Sequence, residues 1–421
     1  MIDPSEARAR LRSQRIRRRR RIRRILGALT RWHLLRTRPR VVGVTGSFGK
    51  TTTVSFLERI LEDRFEVRAP RGDTMTGCQT YLTVLGETAL VRLGDLARAL
   101  PGVAVRTLFR IRRKPHRAIL LEFRAQHAKG RVMDEVIRTV RPEIGIVTAI
   151  EGVHLTHFKT IEAVAETKGR LVEGLREGGI AILNADDERV RALRSRARGK
   201  VLLYGTAPDA DVRGTLLESA GPGLRVRVSH GDASADVDLP GLWNPGHLVC
   251  ALGALAAAEC LGVPFAEAAA ALSQLCPPAR RGNRVPGILG STLVDDTYNA
   301  NPRSVAAALA GLARAKSPLR IAILGDMLEL GSAEAEAHRA AGRLAAGACD
   351  LLVCVGRLAR FFAEGAREAG MPPDRILEAA NAPAAAAAVL PRLVPGAIVW
   401  LKGSHDARLD LAVKALRRPM A

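Results

Sequence analysis

GVTGSFGKTTT, residues 43–53, joins a short β run that begins at RPRVV to an amphipathic pattern, VSFLERILED. A strand that ends in a Gly-bearing loop and resumes as a helix presents backbone N–H groups and a positive helix end to phosphate. In that setting Lys50 reaches the terminal phosphates of a nucleotide, and the hydroxyl of Thr51 or Thr52 ligates Mg²⁺. Thr45, Gly46, Ser47 and Gly49 complete the expected cradle. The strict G-x-x-x-x-G-K-T spacing is not met, because Val44 stands where the first glycine belongs. A G-K-T triplet also occurs by chance at plain strand–helix turns, so the flanking strand and helix carry this reading.

Working outward, apolar strand-like runs alternate with helical patterns. AILLEF (118–123), EIGIVTAI (143–150) and GIAILNA (179–185) read as strands, with helices at 161–177 and 247–261. The alternation predicts an α/β fold with a mostly parallel sheet covered by helices. GDASADVDLPGL reads as a β excursion. Pro277 and Pro278, followed by ARRGNRVPG, mark a linker near residues 277–287. Beyond it the pattern restarts with TLVDDTY (292–298), RIAILGDM (320–327), LLVCVG (351–356) and AIVWLKG (397–403). The expected organisation is an arm at 1–40, a central domain at 41–279 and a second α/β domain at 280–421.

The chain has 421 residues, of which 47% are apolar and 25% charged, which excludes disorder along its whole length. Six cysteines lie far apart without a C-x-x-C pair, against a zinc site or disulfide framework and for a reducing compartment. The opening MIDPSEARARLRSQ lacks the apolar stretch of a secretory signal, and no run of 18 apolar residues occurs. A cytoplasmic protein is expected. The formal charge is +23, and residues 1–40 hold fifteen arginines against Asp3 and Glu6. Residues 5–36 read as a helix, with Ile16, Ile22, Ile25, Leu26, Leu29 and Trp32 at helical spacing. It is either a solvated arm or a basic helix that docks on an anionic membrane surface or a protein, making the chain peripheral to the membrane. Nucleic acid is the weaker reading, because aromatics are only 4% and no reader motif is present.

The form T-G-x-x-G-K-T-T after a G-h-T strand resembles the ATP loop of the Mur ligase family, the ATP-dependent amide-forming ligases of cell-wall synthesis. HLTHFKTIEAVAETKGRLVEGLREGGIAILNADD (154–187) and PGLWNPGHLVCALGAL (240–255) are similar to later family segments in the same order. LVDDTYNANPRSVAAAL and IAILGDMLELG (293–331) resemble the branch that adds D-alanyl-D-alanine to a UDP-muramoyl-tripeptide, as does LKGSHDARLDLAV (401–413). The resemblance spans residues 41–416. It implies a central P-loop mononucleotide-binding domain with a mostly parallel sheet, plus a C-terminal Rossmann-like α/β domain.

It also implies roles. ATP would turn a donor carboxylate into an acyl phosphate that an amine then attacks, releasing ADP and phosphate. Such phosphoryl transfer needs charge neutralisation and alignment, supplied by Lys50 and one or two Mg²⁺ ions. Glu122 and His154 would bind metal, as would Lys168 once carbamylated, since CO₂ addition turns a cation into an anion. Asn244 would bind adenine, Arg281 the γ-phosphate and Asp296, or else Asp295, the ribose. Asp326, Lys402 and Ser404 would meet the acceptor amine, with ATP held between the two domains.

The donor side departs from the family. Only about 40 residues precede the loop, where peptidoglycan ligases carry a domain for the UDP-sugar. RGDTMTGCQTYLT (71–83) does not follow the expected donor segment, and 89–117 reads as a basic insertion. In EFRAQH, Phe123 and Arg124 replace Leu and Gly; Arg124 and His127 become candidate donor contacts. Leu242 and Trp243 replace Arg-His, and His247 stands for an Asn. These departures predict a carboxylate–amine ligase working on a donor other than a UDP-muramoyl peptide, polyanionic or near a membrane. A poly-γ-glutamate-synthase-like ligase, a P-loop ATPase that docks nucleic acid or membrane through its basic arm, and a non-catalytic relative are the alternatives.

Overall fold

The computed structural model describes residues 4–70, 77–87, 96–109, 117–124, 131–151, 158, 160–218 and 223–419. Among them, nine strands form a first sheet: β1 (Arg40–Thr45), β2 (Glu66–Arg68), β3 (Arg117–Glu122), β4 (Ile144–Val147), β5 (Ile180–Asn184), β6 (Lys200–Gly205), β7 (Val212–Leu217), β8 (Leu224–His230) and β9 (Ala233–Leu239). Their order is β2-β3-β1-β4-β5-β6-β7-β8-β9. Pairing is parallel from β2 to β7 and antiparallel through β8 and β9. The interior strands are continuous apolar runs because helices cover both faces, whereas LRVRVSH of β8 alternates buried and exposed.

Strand alternation divides the core. Val42, Val44, Leu120 and Ile146 point to a face covered by α2 (Lys50–Leu61) and a later, alanine-rich helix, Pro245–Cys260. Val41, Ile119 and Leu121 point the other way, into a cluster with Ile22, Leu26, Tyr81, Leu82 and Val136. That second cluster is closed by α1 (Pro4–Thr37), α3 (Gly77–Leu85), α4 (Leu96–Phe109) and α5 (Arg131–Val140). Further along lie α6 (Ile161–Glu173) and α7 (Glu188–Ala192), after which Pro245–Cys260 is α8.

Residues 22–37 therefore differ from the expectation of an arm outside the body. Ile22, Leu26, Thr30, His33 and Thr37 recur at spacings of three and four, and all are buried. Arg23 bridges to Glu135 of α5 at 2.7 Å. The sequence showed Ile22 and Leu26 at helical spacing but not that they face the core; most of the described arginines lie on the opposite side of the same helix. Of the basic insertion expected at 89–117, residues 96–109 and 117 are described, and 89–95 and 110–116 lie outside the described residues. Its α4 packs on α1, and none of its described residues lines the cavity reported below. Arg117, the last basic residue of that stretch, is buried at the start of β3 and paired with Glu66 at 2.8 Å.

The second sheet contains β10 (Asn283–Pro286), β11 (Thr292–Asp296), β12 (Arg320–Gly325), β13 (Leu351–Val355), β14 (Ile376–Ala379) and β15 (Ile398–Lys402). Their order is β10-β11-β15-β12-β13-β14, parallel except for β10. Part of the expected linker is thus an edge strand, with Asn283 opposite Asp295. Helix α9 (Phe265–Ala271) precedes this sheet, and α10 (Pro302–Arg314) follows β11 with a capping box between Asn301 and Ser304. Among the described residues, no helix is long and apolar enough to cross a membrane.

Candidate active site

The order of the first sheet reverses at β1, and ligands of open α/β sheets bind beyond the carboxyl ends of strands at such a point. A cavity of about 600 Å³ lies there, between the ends of β1 and β3 and those of β11 and β15. The loop after β1 is pinned by Ser47 N–H, which donates to the Ala149 carbonyl at 2.8 Å. Gly46 has φ of 152°, and a Cβ there would lie 1.9 Å from Thr148 Oγ1, so no other residue fits without rebuilding the turn. Thr45, just before it, is buried and donates to the Phe123 carbonyl at 2.9 Å, tying β1 to β3 beneath the cavity.

Lys50 opens α2 and donates from Nζ to the Gly46 carbonyl at 2.7 Å. Burial pushes its amine down to about 8, against the attraction of Glu122. Thr51 Oγ1 donates to Glu122 Oε2 at 2.8 Å, and Arg124 Nε lies 2.9 Å from Oε1. Burial alone would raise the Glu122 carboxyl, but Lys50, Arg124 and Thr51 outweigh it and hold the group below the usual range, hence ionised. Lys168, on α6, also lines the cavity and is only 4% exposed. Burial, reinforced by Lys50, holds its amine well below the ordinary lysine value. Among the described residues no carboxylate acts on it.

The second wall is more completely paired. Asp296, at the end of β11, meets Lys402 Nζ of β15 at 2.9 Å, and Lys402 also donates to the Asn299 carbonyl at 3.0 Å. Burial raises the Asp296 carboxyl, while Lys402 opposes the rise. Asp295 faces away from the cavity lining and accepts from Thr297 Oγ1 at 2.7 Å, which separates the two aspartates left open by the sequence. Arg281 lies 3.9 Å over the Tyr298 ring, and Arg124 Nη1 donates to the Tyr298 hydroxyl at 3.2 Å, so this tyrosine joins the two walls.

His247, standing for the expected Asn, is buried, and burial lowers its imidazole to about 4. The ring is thus neutral near pH 7. Its Nε2 lies 3.0 Å from the Arg281 carbonyl, which can only accept, so Nε2 carries the proton. Gly282 has φ of 86°, and a Cβ there would come within 2.7 Å of the His247 ring. Asn244 caps α8 by accepting from Gly246 N–H at 2.7 Å, leaving its amino group for a ligand.

Gly46, Ser47, Gly49, Lys50, Thr51, Thr52, Glu122, Arg124, Lys168, Asn244, Arg281, Asp296, Lys402 and Ser404 all line this one cavity. Asp326 does not; its carboxylate accepts from the backbone N–H of Arg357 and Leu358 and shapes the loop after β13. Ser404 Oγ accepts from Leu328 N–H at 3.0 Å. His154 and His127 lie outside the described residues. Sequence reasoning missed Tyr298, although it lies within the quoted DTYNANP. It also missed Arg303 of α10, which reaches Glu151 and Asp187 at 3.3 Å each and sits 5.4 Å from the centre of the Phe48 ring. Its only signal was an arginine at the second position of α10.

Known proteins agree with this arrangement. The sequence profile of the Mur ligase middle domain matches residues 44–257, and that of the Mur ligase glutamate ligase domain matches residues 280–405. The UDP-N-acetylmuramoyl-tripeptide–D-alanyl-D-alanine ligase of Mycobacterium tuberculosis is 31% identical over 399 residues, spanning 89% of this chain and 72% of the relative. Among solved structures, MurF of Acinetobacter baumannii superposes with a TM-score of 0.75 at 23% identity, covering 93% of this chain and 80% of that one. MurF ligase of Thermotoga maritima, solved in complex with ADP, gives 0.74 at 24% identity, with 93% and 82% covered. With both domains matched in order and a named ligase alike along most of the chain, this protein belongs to the Mur ligase family of ATP-dependent amide-forming ligases.

Proposed function

We propose that the chain joins a donor carboxylate to an amine through an acyl phosphate, with ATP as the phosphoryl source. The observation that carries this reading is the convergence of Lys50, Glu122 and Lys168 with Arg281 of the facing wall on one cavity. Lys50 and Arg281 hold the terminal phosphates and neutralise charge as the γ-phosphoryl group passes to a donor oxygen. Asn244 takes the adenine and Asp296 the ribose hydroxyls. The acceptor amine then attacks the activated carbonyl carbon, and phosphate leaves.

The residues fit a divalent cation in part. Glu122 is ionised, buried and beside the Thr51 hydroxyl, an oxygen pair suited to Mg²⁺. Among the described residues there is no group of three His, Cys, Asp or Glu. A carbamate on Lys168 would supply a further anionic oxygen. Its buried amine, unpaired among the described residues, favours that chemistry, because the neutral amine is the form that adds CO₂. Bound metal would neutralise phosphate charge; Glu122, Thr51 and carbamylated Lys168 would hold it, together with His154.

The expectation of a donor other than a UDP-muramoyl peptide has no support from the named relative, whose donor is that compound. UDP-muramoyl-tripeptide with D-alanyl-D-alanine is therefore the first pair to test. A polyglutamate-adding enzyme would use the same chemistry with glutamate as acceptor. Acceptor-dependent phosphate release, screened over these pairs, tests the proposal; release that no acceptor stimulates would overturn it.

A further inference from the structure

The buried stripe of α1 leaves an opposite face whose composition is unusual. Arg17, Arg21, Arg24, Ala28, Arg31 and Leu35 follow one another at spacings of four, three, four, three and four, and all are exposed. Such a stripe lies along one side of a helix. Among the described residues, none of these four arginines pairs with a carboxylate, while Arg23, nearer the buried side, takes Glu135. Apolar side chains are set between the charges. Leu35 is 69% exposed and Ile25 42%, and half-buried Trp32 lies under Arg36 at 5.7 Å. The neighbouring α4, LARALPGVAVRTLF, carries no acid and exposes Val105.

We propose that this outer face of α1 docks the enzyme on an anionic lipid surface. Arginines draw the helix to anionic headgroups, and Ile25, Trp32 and Leu35 enter the headgroup–acyl boundary, where an aromatic with a polar edge is favoured. A nucleic-acid backbone would reward the charges but offers nothing to the exposed leucine and isoleucine. The sequence expected a basic helix with Ile22, Ile25, Leu26, Leu29 and Trp32 at helical spacing to lie on anionic lipid, and the structure buries the face holding Ile22 and Leu26. That face is spent on the core, so docking requires no unfolding, and it is independent of the chemistry in the cavity.

Co-sedimentation of the full chain with vesicles of phosphatidylcholine, with and without phosphatidylglycerol, tests this at low and high salt. Binding is expected only with phosphatidylglycerol and should weaken as salt rises. Each of Arg17→Gln, Arg21→Gln, Arg24→Gln and Arg31→Gln should weaken it about fivefold, whereas the four Arg→Lys changes should keep it. Ile25→Ser with Leu35→Ser should weaken vesicle binding and leave any duplex DNA binding alone. Unchanged melting temperatures show that the variants fold. Equal binding to both vesicle types, a fourfold Gln variant that sediments like the parent, or tighter binding to duplex DNA than to phosphatidylglycerol vesicles would overturn the proposal.

Discussion

Lys50 and Lys168 are lysines enclosed in the cavity, each with its amine driven towards neutrality by burial, whereas Arg17, Arg21, Arg24 and Arg31 stand in water along α1. Both regions contribute to the same net charge of +23, yet they differ in every physical respect. In the cavity few charges are held, at fixed distances, where water cannot screen them. On α1 many charges are screened, and each is worth little until an opposite surface arrives. Burial, rather than sign or number, decides which charges do chemistry.

The largest effect is expected in the cavity. Lys50→Ala should reduce kcat/KM for ATP on the order of a thousandfold, in the range of losing a preorganised charge stabiliser. Steady-state phosphate release measures it; a loss of only a few-fold would place Lys50 among the merely solvated lysines. Lys168→Ala should cost on the order of a hundredfold, as for residues that support a metal site. Here ¹³C-bicarbonate NMR gives a second readout. A carbamate signal is expected in the parent and must vanish in the variant, and its absence from the parent would remove the carbamate from the account.

The inner face of α1 comes next. His33 is buried and, among the described residues, neither ring nitrogen has a hydrogen-bond partner; burial, aided by Arg68 and Arg117, lowers it to about 4. The unfolded chain takes up a proton near pH 6.5 that the folded chain refuses until about pH 4. Stability from this group is therefore full above pH 6.5 and is lost on acidification, on the order of 3 kcal/mol across that window. Urea unfolding of His33→Leu should show a flatter acid limb than the parent, with His247 still contributing its own share. An identical limb would mean that the inner face is hydrated. Smallest of all, the fourfold Arg→Gln change on the outer face should alter stability by no more than about 0.5 kcal/mol and leave phosphate release unchanged.

The same contrast explains what could be read from the sequence. The phosphate loop was legible because its strand, glycines, Lys50 and helix are contiguous, so local rules suffice. Asn244, Arg281 and Asp296 were reachable only through family resemblance, since nothing nearby in the chain marks them, and the fold then brings them to one cavity. The stack of Arg281 on Tyr298 and the tether from His247 to the Arg281 carbonyl are tertiary contacts that no spacing rule encodes. On α1, Ile22 and Leu26 were legible at helical spacing, but that they pack with His33 on the inner face of the helix was not. Asp326 sits in a recognisable segment, but its carboxylate is spent on two backbone amides.

The central claim is that phosphate from ATP passes through the donor carboxylate before the amide forms. UDP-muramoyl-tripeptide labelled with ¹⁸O in its reacting carboxylate, incubated with ATP and D-alanyl-D-alanine, tests this directly by mass spectrometry of the released phosphate. The account predicts one ¹⁸O in each phosphate released with amide product, and no label transfer in Lys50→Ala. Amide formed alongside unlabelled phosphate would contradict it.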